Sequence, residues 1–133
     1  MNVFQVQTVG GDDQVVCESC EVADGPVTRL RGLMGRRELR RGEGLLLKPA
    51  PSIHTFFMRF PIDAVFLDAG MAVVAVKPGL VPWRMAGHRG ARAVLELPAG
   101  EARRRGVRPG ARLELAGEAA PRPSGEPGAR DVG

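Results

Sequence analysis

The chain has no tyrosine, one tryptophan, two histidines and two cysteines in 133 residues. Two cysteines cannot build a disulfide framework, and zinc would have to draw on Cys17, Cys20, His54 and His88 together. Lysine is nearly missing, with only Lys48 and Lys77, so the net charge of +4 rests on arginine. No apolar run reaches the roughly 18 residues of a membrane helix, because Asp63, Asp68 and Lys77 interrupt the best stretch. The opening Met-Asn-Val-Phe-Gln-Val-Gln-Thr lacks the basic and hydrophobic regions of a signal peptide. A cytoplasmic chain with no membrane partner is therefore expected.

What is present suits one soluble domain. Apolar residues make up 44% and charged residues 26%, enough for a real core in a single unit. Charge is unevenly placed. Residues 1–24 hold five acids and no Lys or Arg, residues 25–48 hold seven bases against two acids, and residues 77–92 hold four bases and no acid. Basic patches of this size read first as solvated surface, so nucleic acid is not the expected partner.

Apolar periodicity sets the fold class. Val3, Phe4 and Val6 suggest a weak first strand, and Val15-Val16-Cys17 starts a second that can continue to Val22. After Asp24-Gly25-Pro26, helical spacing of Val27, Leu30, Leu33 and Met34 predicts a helix, with Gly32 and Gly35 shortening or bending it. Leu45–Leu47 and His54–Met58 read as strands. Ala64–Asp68 and Met71–Val76 form a hairpin around Ala69-Gly70, apolar without alternation and hence central. A long connection from Lys77 to Gly90 leads to a strand at Ala93–Leu97, a single helical turn at Glu101–Arg105 and a last strand at Arg112–Leu115. Residues 117–133 are Gly, Pro, Ala and charge, expected as a disordered tail behind a domain of residues 1–116. The fold class is mainly β (α+β), a small barrel-like domain of about six to eight short strands with one helix and one helical turn.

Ser52–Asp68 is the richest stretch, holding four of the five phenylalanines beside His54, Arg59 and Asp63. Asp63 follows a proline and precedes an apolar strand, so it is expected to be buried. It then either accepts backbone N–H groups at the bend or joins Arg59, His54 and Glu96 in a pocket. If residues 54–59 form a strand, alternation puts His54 and Arg59 on opposite faces, which weakens a joint catalytic pair. Trp83, in the basic loop, either caps the domain or stacks on a ligand. Cys17-Glu-Ser-Cys20 lies beside a strand, where alternation separates the thiols, and reads as two ordinary thiols rather than a metal or redox pair.

Several patterns then line up in order. They are Arg31-Gly32-Leu33-Met34-Gly35-Arg36, Leu39 with Gly44-Leu45-Leu46, Phe57-Met58-Arg59-Phe60-Pro61-Ile62-Asp63 with Val65-Phe66-Leu67-Asp68, Ala93–Gly100, and Gly106–Gly110. Together they resemble the DUF192 family of small bacterial and archaeal proteins over roughly residues 20–115. The resemblance implies one compact, mainly β domain and brings no established function. Many members look exported, which the start of this chain does not match. Members usually carry a Trp-Met-Lys-Asn-Thr-like run, from which Phe57, Arg59 and Phe60 depart.

The functional expectation is a non-enzymatic module for an unknown small molecule or protein, with candidate ligand-binding residues Arg59, Asp63, Trp83, His54 and Glu96. No catalytic set, metal site or cofactor is assigned. The alternative is a small hydrolase or lyase-like enzyme with Asp63 or Glu96 as general base and His54 beside it. A weaker alternative is nucleic-acid binding through residues 29–41 and 84–92. No oligomeric state is implied.

Overall fold

The computed structural model describes residues 3–10, 14–25, 29 and 32–118. Strands β1 (Val3–Val9), β2 (Val15–Ala23), β3 (Glu43–Leu47), β4 (Ser52–His54), β5 (Ile62–Leu67), β6 (Val73–Leu80), β7 (Met85–Gly87), β8 (Ala93–Pro98) and β9 (Arg112–Glu118) are joined by a one-turn helix α1 (Glu101–Arg104). Seven strands form one sheet in the order β6-β5-β8-β3-β2-β1-β9, and β4 pairs with β7 in a separate ribbon. All pairings are antiparallel except β2 with β3.

The large sheet coils without closing into a barrel. Its two edge strands touch near one end, through an Ala72–Arg112 bridge and a Val73 N–H bond to the Ala111 carbonyl at 2.7 Å. Coiling gives the sheet two covered faces. Leu46, Val65, Leu67, Leu95 and Leu97 join Val6, Val16 and Leu113 in an inner core. Their alternates Leu45, Leu47, Ala64, Phe66 and Val94 pack outward beneath Leu33, Leu39, Ile53 and Met58. Both faces being buried explains why β3, β5 and β8 are apolar nearly throughout.

Several sequence expectations change. The strand expected over His54–Met58 stops at His54, and a turn follows. The hydroxyl of buried Thr55 accepts from the Arg84 N–H at 2.8 Å and lies 2.7 Å from the Val81 carbonyl, to which it donates. That tether bends the chain away from a ladder. The connection after Lys77 is partly strand, because β6 runs on to Leu80 and β7 pairs with β4. Of the helix expected after Pro26, Arg29 N–H bonds the Gly25 carbonyl at 2.9 Å in helical fashion. Gly32 and Gly35, at φ 49° and 79°, turn the chain out of it. Val27 and Leu30, and the tail from residue 119 onward, lie outside the described residues.

Asp63 is the polar anchor of this scaffold. Its Oδ1 accepts from the Gly79 N–H at 2.9 Å, and its Oδ2 accepts from the N–H groups of Gly100 and Ala102 at 3.0 and 2.9 Å. It therefore supplies the cap that Gly100, without a side chain, cannot give α1. The same carboxylate fixes the bend in β6. Asp63→Ala would strand three backbone donors. We expect a loss on the order of 3 kcal/mol or more in urea unfolding, with Asp63→Asn recovering only part of it.

Gly44 marks a close approach. A Cβ there would meet Cys17 Sγ at 2.9 Å and the Glu96 carbonyl at 3.2 Å. Gly44→Ala is expected to cost about 1–3 kcal/mol by the same measurement, since the core has no slack to absorb a methyl group.

Candidate functional site

Strand β8 alternates Leu95 and Leu97 into the inner core and Val94 outward. Glu96 shares the outward side, flanked across the sheet by Leu45 of β3 and Ala64 of β5. It is only 2% exposed. Among the described residues, its Oε1 is the buried side-chain oxygen that lacks a hydrogen-bond partner. Burial raises the Glu96 carboxyl to about 8, against an opposing pull from Arg36. At neutral pH it is therefore chiefly a neutral carboxylic acid.

Glu96 lines a cavity of about 350 Å³ between the sheet and the segments that cover it. Leu47 shares the sheet side of that cavity. Arg29, Leu33, Met34, Ser52, Ile53, His54 and Met58 line the rest. This volume is at the small end of ligand pockets, and an apolar wall with a few polar groups is their usual make-up.

His54 sits where β4 ends, and its Nδ1 accepts from the Phe56 N–H at 3.2 Å. With Nδ1 taken as acceptor, the neutral ring carries its proton on Nε2. From His54 a row of rings runs outward. Phe56 lies 5.0 Å from His54 and 5.7 Å from Trp83, and Phe57 meets Trp83 edge-on at 4.8 Å. Phe57 and Trp83 are 58% and 56% exposed. Both hold positive φ, at 66° and 67°. Such backbone costs a bulky residue about 1–3 kcal/mol, and it is typical of functional sites.

The five candidate residues thus separate. His54 and Glu96 share the cavity. Trp83 stands between Phe56 and Phe57 in the exposed part of the aromatic row. Arg59 is exposed and does not line the cavity. Asp63 belongs to the scaffold on the other side of β5, both oxygens engaged by backbone donors. Arg29, Ser52 and Thr55 were not among the candidates. A short apolar helix gave no reason to single out Arg29, and nothing local marks a threonine as the tether between two loops.

The thiols depart from simple alternation. A bulge sets Val6 opposite Cys17 but Phe4 opposite Cys20, so three steps on β2 match two on β1. Both cysteines therefore face the inner core, free and fully buried. The contact with Cys17 and burial both raise the Cys20 thiol, which suppresses thiolate chemistry. No cluster of three or more His, Cys, Asp or Glu able to hold a metal occurs among the described residues.

The DUF192 model, described as "Uncharacterized ACR", matches residues 6–115. The chain belongs to the DUF192 family. Two solved structures share its fold at a TM-score of 0.76. A candidate transcription regulator from Sinorhizobium meliloti 1021 is 27% identical, with 85% of this chain and 93% of that one covered. A protein of unknown function from Novosphingobium aromaticivorans DSM 12444 is 26% identical, with 85% of each chain covered. No curated protein matches. No helix among the described residues is long and apolar enough to cross a membrane. In this DUF192 chain the Phe57–Asp63 motif spans three settings: an exposed ring, the cavity residue Met58 and the scaffold anchor Asp63.

The raised Glu96 carboxyl gives stability a pH dependence of defined sign. The folded chain keeps a proton that the unfolded chain releases near 4.5, so the contribution of Glu96 is fully present below that value. It should fall as pH rises toward about 8, by on the order of 4 kcal/mol in all. Glu18 and Glu101, lowered chiefly by hydrogen bonds from Arg105 and Arg104, act at more acid pH and with the opposite sign. Urea unfolding of the wild type and Glu96→Gln between pH 5 and 8 should show the slope in the first and its loss in the second.

Proposed function

We propose that the chain is a non-enzymatic binding module that takes a small ligand into the Glu96 cavity, with the Phe56–Trp83–Phe57 row at its edge. The observation that carries this reading is Glu96 itself. A buried carboxyl oxygen without a partner costs about 1–3 kcal/mol, and a packed apolar residue there would remove that cost. A ligand group that pairs with it accounts for the position.

Catalysis fits less well. Ser52, His54 and Glu96 share one cavity, but His54 Nδ1 is held by the Phe56 N–H. In a nucleophile–base–acid set that nitrogen must carry a proton and donate to the acid. Asp63 has no free oxygen to serve as a base. The Sinorhizobium meliloti neighbour's description raises nucleic-acid binding. In this chain Arg36, Arg40 and Arg41 already pair with Glu21, Glu38 and Glu101, which disfavours it. A cytoplasmic setting belongs to the same proposal.

Two variants test the reading. Glu96→Met should raise the thermal midpoint and abolish fragment binding, because function and stability oppose each other at such a site. A marked drop in stability would show instead that Glu96 is structural. Ser52→Phe should fill the cavity from its exposed wall. Amide signals of Leu47, Ile53 and Glu96 should then no longer respond to fragments that shift them in the wild type, and an unchanged response would place binding elsewhere.

A further inference from the structure

The cavity's polar groups define the kind of molecule it takes, an inference that rests on the binding reading above. Among the described residues, every polar side chain on the wall can donate a hydrogen bond. Arg29 is a permanent cation, with one N–H engaged by the Asp24 carbonyl at 2.6 Å and the remainder of its fork unassigned to that bond. His54 offers Nε2–H, because Nδ1 is the acceptor for Phe56. Ser52 brings a hydroxyl to the same wall. Glu96, buried as the neutral acid, brings an O–H that either of its oxygens can carry, including the Oε1 that has no partner.

No ionised carboxylate lines this cavity among the described residues. A cationic ligand would meet the permanent charge of Arg29 on the wall and would have to draw the proton off buried Glu96 to gain a counter-ion. A purely apolar ligand would leave the donors desolvated and unpaired, at about 1–3 kcal/mol each. Leu33, Met34, Leu47, Ile53 and Met58 make the rest of the lining apolar. The geometry points to a small carboxylate with an apolar body, its oxygens accepting from Glu96 and His54 within the field of Arg29 and its body lying against Leu47, Ile53 and Met58. A volume of about 350 Å³ suits a molecule the size of a substituted benzoate.

Three probes of one shape separate the possibilities. Benzoate, benzamide and benzylamine are titrated into the full chain at pH 7, and the amide signals of Leu47, Ile53 and Glu96 are followed. Benzoate should shift these signals and benzylamine should not. Arg29 and His54 share the cavity with this carboxyl and Arg36 acts on it through space, and Glu96 is the one that becomes an anion beside the bound carboxylate. Benzoate affinity should therefore fall about tenfold between pH 7 and 9. Glu96→Gln keeps an N–H donor and should bind benzoate with the same affinity at both values. If benzamide or benzylamine shifts the cavity signals and benzoate does not, the carboxylate assignment fails and the cavity reading stands. If none of the three does, the cavity reading fails as well. Equal benzoate binding by Ser52→Phe would also overturn the assignment.

Discussion

Strands β3, β5 and β8 are covered on both faces, so each side chain along them must be apolar or find a partner. Two buried carboxylates break the apolar rule, and the structure treats them in opposite ways. Asp63 receives three backbone donors and ties together β5, the β6 bend and the start of α1. Glu96 has one oxygen with no partner, is forced toward its neutral form and faces a cavity. The same burial makes one carboxylate a girder and the other a cavity-facing acid, and the supply of nearby N–H groups decides which.

The covering layer has its own logic. Beyond His54 the chain leaves the strand, and the Thr55 hydroxyl binds it to the 81–84 loop. That junction brings Phe56, Phe57 and Trp83 together, with two of the three in left-handed backbone. Strain of this kind persists only where surrounding bonds hold it. Here the Trp83 N–H bonds the Thr55 carbonyl, and the Phe57 carbonyl accepts from Gly35. An exposed aromatic row maintained against its own conformational preference is more than leftover surface.

Much of the sheet was legible from apolar pattern. Leu45–Leu47, Ala64–Asp68 and Ala93–Leu97 were read as strands, and each overlaps an observed one. The first strand, the hairpin around Gly70 and the turn at Glu101 were readable too. Where the reading failed, a non-local contact had overruled local preference. The Thr55 tether ended the strand at His54, the pairing of β4 with β7 took residues from a predicted loop, and the β2 bulge turned both cysteines inward. The site was half visible. His54 and Glu96 stood among the candidates, yet nothing in their separation of 42 positions said that they share a cavity.

By itself, the sequence determined the family, the β-rich class and the burial of the acid at Asp63. These depend on residue type and periodicity, which act along the chain. Which carboxylate would be satisfied and which left bare was settled only in three dimensions. Asp63 and Glu96 both interrupt strongly apolar strands, and Pro61 marks a bend before Asp63 without saying which N–H groups reach it. Their difference lies in backbone N–H groups delivered from positions 79, 100 and 102, and only folding brings those to Asp63 and not to Glu96.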